Sequence, residues 1–299
     1  MTLEQTSYKI HENAYSVIEQ ESELTIYKNW FDNNTTDVWR HIRMLGVLNP
    51  FLKNNKNAKW VTIGDGRFGT SATYIGKNGG DALASDIDTT LLEVAKQNNM
   101  IKDFVFANAE KLPFEDNQFN YSYCKLAYHH FPRPTIAVYE MLRVSKDAVI
   151  FTEPNDYFPP PFTRRILQKI KHFLKRIMGK QVAHHDTGNF ETIGNYIYNI
   201  SVRDFEKIAQ GVGLKCIAYK KFHDAYYEGA EHERWSESAP IYKMIKRNIK
   251  KNNRLSKLKL AYPNNIQMII FKSTPDKNIV ADLKAEGYTI SVFPQNPYL

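Results

Sequence analysis

The 299 residues carry 40 Lys/Arg against 32 Asp/Glu, a net charge of +8, and 42% of them are hydrophobic; such a chain can bury a core as one elaborated domain, or one plus a small subdomain. Its longest strongly apolar run, near 266–271, is far too short for a bilayer-spanning helix, its first residues lack the basic and apolar regions of a secretory leader, and Cys124 and Cys216 stand alone, so a transmembrane class, a disulfide framework and a thiolate metal cluster are excluded and a cytoplasmic location is expected. Fifteen cations fall in 163–180 (seven) and 243–260 (eight), neither segment holds an acid, and the remaining chain sums to −7; the basic character is local and does not argue for general nucleic-acid binding.

Residues 1–58 read as a helical cap, with Tyr27, Trp30, Phe31, Val38, His41, Ile42 and Leu45 at helical spacing. Asn49-Pro50 and the polar run 53–57 mark a linker. Strands are expected at 60–64, 82–86, 103–107, 121–125 and 147–152, and helices at 69–78, 89–98 and 133–145. This alternation predicts a doubly wound α/β core at 59–156, a mostly parallel Rossmann-like sheet with helices on both faces. Residues 157–200 read as a basic lid insertion. There Ile166, Ile170, Phe173, Leu174 and Ile177 form one apolar stripe among cations, which suits a soluble cap over a site, or a surface for an anionic ligand or a membrane. The core is completed over 201–275 by a helix at 202–210, a strand at 215–222, a helical insertion at 238–259 and a strand at 266–271. A C-terminal appendage, 276–299, holds a short helix, a turn at Glu286-Gly287 and a strand at 288–293.

The most informative stretch is Trp60-Val61-Thr62-Ile63-Gly64-Asp65-Gly66-Arg67-Phe68-Gly69, followed by Asp86. Glycines 64 and 66 permit a sharp turn and a close ligand approach, the next helix start suits an anion, and an acid 20 residues past Gly66 can accept ribose hydroxyls. An adenosine-bearing cofactor is expected. The spacing Gly64-x-Gly66-x-x-Gly69 also fits an NAD-binding oxidoreductase.

The residues beyond the loop separate the two. Phe106-Ala107-Asn108-Ala109-Glu110-Lys111-Leu112-Pro113-Phe114 comes after the third strand, Leu126-Ala127-Tyr128-His129-His130-Phe131 after the fourth, and Ala137-Val138-Tyr139-Glu140-Met141-Leu142-Arg143-Val144 leads into a fifth strand ending Phe151-Thr152-Glu153-Pro154. This order resembles the class I S-adenosylmethionine-dependent methyltransferases, above all the small-molecule branch that includes the ubiquinone and menaquinone methyltransferases. The resemblance covers 59–156 well and 202–272 loosely. It implies that the loop Gly64, Asp65, Gly66, Arg67, Gly69 holds the methionine moiety of S-adenosyl-L-methionine, that Asp86 holds the ribose and Ile87 packs on adenine. It further implies that Asn108, Ala109 and Glu110 stand at the adenine edge, and that Lys125 and Leu126 lie beside the sulfonium. The chain departs from the family at Thr62 and Asn108, where acids are usual, at Phe68 in place of a third close glycine, and at Asn120.

Methyl transfer to a hydroxyl gains from a general base. His129 and His130, after the fourth strand, are the candidate bases, with packing or cofactor-shell roles as the alternative. Tyr128, Glu153, Asn155, Asp156, His185, Asn195 and Tyr196 are candidate acceptor contacts. His184-His185-Asp186 lacks metal-ligand spacing, so no metal is expected. The Asn/Asp-Pro-Pro-Tyr element that grips a flipped base is replaced by Leu126-Ala127-Tyr128-His129, so nucleic acid is not the expected partner. The reading is O-methylation of a small, anionic or sugar-like intermediate. A non-catalytic methyltransferase-like binding protein, motivated by Thr62, Asn108 and Asn120, stands as the alternative beside the NAD enzyme.

Overall fold

The computed structural model describes residues 2–12, 30, 34–156, 166, 169–170, 173–174, 176–178, 190, 196–294 and 298. Buried β-rich segments form its centre. Trp60, Val61 and Ile63 in strand β1 (Lys59–Ile63) are almost wholly buried, as expected of a parallel strand covered on both faces. Around it lie β2 (Asp81–Asp86), β3 (Phe104–Phe106), β4 (Phe119–Lys125), β5 (Ser145–Pro154), β6 (Cys216–Phe222), β7 (Asn265–Phe271) and β8 (Thr289–Val292). Their order in the single sheet is β3-β2-β1-β4-β5-β7-β6-β8. The pairs from β3 to β5 are parallel, whereas β7 runs antiparallel to both β5 and β6, and β8 antiparallel to β6. The expected strands and helices between 59 and 156 are all present, with ends shifted by a few residues. The segment assigned to an appendage supplies the eighth strand.

Successive strand residues point to opposite faces, and this splits the core in two. Val61, Ile63, Cys124, Phe151 and Ile270 face α6 (Pro134–Val144) and α7 (Val202–Gly211). Trp60, Tyr121, Tyr123, Ile150 and Ile269 face α3 (Asn49–Asn54) and α9 (Lys277–Ala285). Between these, α4 (Thr70–Lys77) follows β1 and α5 (Thr90–Gln97) follows β2.

The N-terminal part is helical where it is described. Helix α1 (Leu3–His11) starts in a capping box between Thr2 and Gln5. Helix α2 (Thr36–Leu45) starts at Thr35, whose hydroxyl accepts from Val38 N. Tyr27 and Phe31 lie outside the described residues; Trp30 is buried against the His41 ring, centroids 5.0 Å apart. Arg40 joins Asp37 (2.7 Å) and Asp224 (2.6 Å), and Arg43 stacks over Trp39. These residues therefore fasten α2 to the 223–264 connection, which contains α8 (Pro240–Lys257).

Candidate active site

The crevice opens at the carboxyl ends of β1, β2 and β4, where the strand order reverses direction. β1 runs into Gly64, whose φ of +69° is left-handed and where a Cβ would collide with Ala127 Cβ; only glycine meets both conditions. Gly69 (φ +58°) ends the loop, with Ile101 Cγ2 2.8 Å from where its Cβ would stand. Phe68 is left-handed too, at φ 57°, which costs a non-glycine residue about 1–2 kcal/mol. Its ring is fully buried beside Ala72, Leu91 and Leu92, and that burial holds the turn.

Asp65 turns away from the crevice. Its carboxylate accepts Ser71 N (3.1 Å), Ala72 N (2.9 Å) and the Thr62 hydroxyl (2.9 Å). It satisfies unpaired N–H groups at the start of α4, and burial raises its pKa against the pull of those donors. The expected contact between Asp65 and a cofactor is corrected accordingly, and Thr62 is explained as the partner of Asp65. Arg67 is exposed, and Gly66 gives its N–H to Asp86.

Asp86 closes β2. Its Oδ2 accepts Gly66 N at 2.7 Å and its Oδ1 accepts Asp88 N at 2.9 Å. Burial pushes its pKa up to about 6; these two donors oppose the rise, and Asp65 and Asp88 add to it. Asp86, Ile87, Asn108, Ala109 and Glu110 line one wall of the crevice, and Gly64, Leu126, Ala127 and His130 the other. Asn108 Oδ1 accepts Glu110 N (2.9 Å). The Glu110 carboxylate accepts from Arg133 N and Nε, both at 2.7 Å, and from the Tyr8 hydroxyl. Glu110 therefore ties α1 to the crevice, and Ser7, Tyr8 and His11 form its cover. The sequence reading missed these three: the capping box announces the helix but carries no sign of what it lies on.

After β4 the chain makes a short 3₁₀ turn, Tyr128–His130, over the end of β5. Glu153 is fully buried beneath it. Its Oε1 accepts Ala127 N (2.9 Å) and Tyr128 N (3.1 Å), and its Oε2 lies 2.7 Å from His129 Nδ1. A carboxylate held this way fixes the Nδ1–H tautomer and leaves Nε2 as the basic nitrogen. Glu153 is thus a positioning residue; its assignment as an acceptor contact is corrected. His130 stacks beside His129, ring centroids 4.0 Å apart, and lines the crevice. Tyr128 is also corrected: its ring is buried against Phe131, Phe151 and Phe205, and burial raises its pKa.

Asn155 is buried too. Its Nδ2 donates to Pro263 O (2.8 Å), while its Oδ1 has no partner among the described residues. Asp156 is exposed. Tyr196 packs between Phe190 and Tyr198, and Tyr198 N donates to His129 O (3.2 Å); the end of the lid segment therefore reaches the histidine turn. His185 and Asn195 lie outside the described residues. Lys125 Nζ is 3.0 Å from His41 Nδ1 and pairs with no carboxylate among the described residues. Burial lowers the pKa of both groups, that of His41 strongly, with Lys125, Arg40 and Arg67 adding to it. His41 is therefore neutral and accepts from the lysine. Among the described residues no helix is long and apolar enough to cross a membrane, and no cluster of His, Cys, Asp or Glu could hold a metal ion.

Residues 61–152, from β1 into β5, match the protein family described as "Methyltransferase domain". Demethylmenaquinone methyltransferase of Paenarthrobacter aurescens (strain TC1) is 36% identical over 78 residues, 26% of this chain, and the chain spans 31% of that relative. Magnesium protoporphyrin IX methyltransferase of Synechocystis PCC 6803, solved with bound SAH, superposes with a TM-score of 0.50 at 11% identity, over 88% of this chain and 98% of that one. A structure titled as the complex of the Haloferax volcanii Trm112 methyltransferase activator with its methyltransferase gives 0.50 at 9% identity, over 89% and 98%. These likenesses carry the fold. Residues 61–152 form a methyltransferase-family domain, and the cofactor this implies is S-adenosylmethionine.

Proposed function

We propose, from a chain whose residues 61–152 form a methyltransferase-family domain, that this protein is an S-adenosylmethionine-dependent methyltransferase acting on the hydroxyl of a small acceptor. The observation that carries the reading is the coincidence of the matched segment with a crevice whose lining suits a nucleoside. Gly64 leaves backbone where any side chain would intrude, and Asp86 keeps acceptor capacity at the crevice wall beside Ile87 and Ala109. When bound, the cofactor supplies a methyl group already activated by the sulfonium charge.

The chain's own groups supply alignment, exclusion of water and a place for the proton. Gly64 and Leu126 border the reacting end, while α1 covers the crevice. His129, held through Nδ1 by Glu153, receives the acceptor hydroxyl's proton at Nε2. His130 lines the crevice itself, and its ring stacks beside that of His129. Lys125, a partly buried ammonium with only a neutral imidazole as partner, suits an anionic group on the acceptor or on the methionine end of the cofactor.

The antiparallel β7 between β5 and β6 argues against the oxidoreductase reading, because in the usual NAD-binding order the sixth strand lies directly beside the fifth. Calorimetry with S-adenosylmethionine and with NAD separates the two: heat is expected with the former only. Heat with NAD alone would reverse the assignment, and binding without transfer to any hydroxyl acceptor would leave a non-catalytic binding protein.

A further inference from the structure

The two basic segments leave the sheet together. β5 ends at Pro154 and β6 at Phe222, and both residues pair with Asn265 at the start of β7. The chain therefore leaves β5 and β6 at neighbouring positions, at the edge of the sheet that also carries the crevice.

Within the second connection, α8 is anchored by its N-terminus and one face. Glu233 accepts Ile241 N (2.7 Å) and Tyr242 N (2.9 Å), and Tyr242 and Ile245 are buried. Away from that face, at 100° per residue, stand Lys243, Lys246, Arg247, Lys250, Lys251, Arg254 and Lys257, all exposed. They fill a stripe about 21 Å long at 1.5 Å per residue, and none forms an ion pair among the described residues. Met244 and Leu258 are exposed along the same stripe, Leu258 at 67%. In the first connection, helical residues Ile166, Ile170, Phe173, Leu174 and Ile177 share one face, at spacings of four, three, one and three residues, and all are exposed, Phe173 at 63%. The sequence 163–180 around them holds seven Lys/Arg and no acid.

We propose that this edge of the protein docks on an anionic lipid surface. Cations without carboxylate partners on a rigid helix meet the charge of acidic headgroups, and the exposed apolar stripe of the first connection enters the boundary between headgroups and acyl chains. A nucleic-acid backbone would match the cations but leaves Ile170, Phe173 and Ile177 in water. The sequence offered two roles for 163–180, a cap or an anionic surface, and the exposure of its stripe favours the second. Docking goes beyond methyl transfer and holds whether or not the crevice binds S-adenosylmethionine. Its geometric consequence is a crevice that opens toward the bilayer.

The test is co-sedimentation of the full chain with vesicles of phosphatidylcholine alone and of phosphatidylcholine with one third phosphatidylglycerol. The protein is expected to pellet with the anionic vesicles only, and less as salt rises. Reversing four exposed charges, Lys243→Glu, Arg247→Glu, Lys250→Glu and Arg254→Glu, is expected to weaken partitioning at least about a hundredfold. A second variant, Phe173→Glu with Ile177→Glu, leaves α8 intact and is expected to weaken it about tenfold or more. Circular dichroism of both variants establishes that they fold. No partitioning of the parent chain, partitioning indifferent to both variants, or tighter retention by duplex DNA or RNA that survives Phe173→Glu would overturn the proposal.

Discussion

Asp86→Asn separates what this side chain does for the fold from what it does for the cofactor. In the protein alone, the rise of its pKa from 3.8 to about 6 means that ionisation costs folding about 3 kcal/mol at neutral pH. Because the folded pKa is the higher one, the stability conferred by the protonated carboxyl is fully present below 3.8 and is lost as pH climbs through about 6. Asn removes that cost but keeps only one acceptor oxygen for the Gly66 and Asp88 N–H groups, which costs about 1.5–3 kcal/mol. The two effects nearly cancel, so the unfolding free energy at pH 7 is expected to stay within about 1–2 kcal/mol of the parent. Binding behaves differently. A ribose held by the ionised carboxylate loses charge-assisted bonds worth about 3 kcal/mol, roughly a hundredfold in Kd. The parent's affinity for S-adenosylmethionine is expected to fall about tenfold per pH unit below about 6 and to level off above it, whereas the Asn variant stays flat. Calorimetry from pH 5 to 8, with urea unfolding beside it, reads both quantities. A variant that binds like the parent, or a parent with no pH dependence between 5 and 7, would refute the assignment of Asp86 to the ribose.

Glu153→Gln turns an N–H toward His129 Nδ1, forcing the tautomer that protonates Nε2; turnover is expected to drop about 10²- to 10⁴-fold, with cofactor Kd within about twofold and the acidic limb of the pH–rate profile displaced. His129→Ala is expected to do the same to turnover, whereas unchanged turnover in both variants would remove the pair from the reaction. Gly64→Ala combines a strained φ with the collision against Ala127 and is expected to destabilise by about 2–4 kcal/mol and to lose cofactor binding. Phe68→Gly relieves about 1–2 kcal/mol of backbone strain but removes a buried ring worth about 3–5 kcal/mol, so thermal unfolding should show a net loss of about 1–4 kcal/mol. An equal or higher midpoint would mean that strain, and not burial, governs the loop.

The legible part of the fold rests on period and turn chemistry. The strands around Trp60, Ala84 and Cys124 announce themselves as short apolar runs, and Gly64 as the one residue able to turn and make room. The direction of a carboxylate is not written in its position. Asp65 stands where a cofactor contact is expected, yet the unpaired N–H groups of Ser71 and Ala72 are nearer and claim it. Glu153 comes at a strand end like an acceptor contact, but it sits beneath two backbone N–H groups and a histidine. Tyr128 reads as a pocket residue because it adjoins two histidines, and packing against Phe205, far along the chain in a later helix, takes it into the core. Tyr8 reaches Glu110 across 102 residues of chain, a contact that no local pattern encodes.

The charge map joins these observations. Without its fifteen clustered cations the chain sums to −7, and the crevice wall shares that sign: Asp86 lines it, and Asp65 and Asp88, buried behind it, are close enough for each to raise the pKa of Asp86. A cationic sulfonium is drawn to such ground, and lies most favourably where Asp86 is ionised. The α8 cations stand exposed on the connection that leaves β6 at the same edge of the sheet. An anionic surface is therefore attracted to the rim and repelled from the base, so docking would orient the crevice without blocking it. The same separation explains why salt should loosen the protein from anionic vesicles far more than it loosens the cofactor: the α8 cations are exposed and screened within about 10 Å at 0.1 M salt, while Asp86 acts at short range in a buried setting.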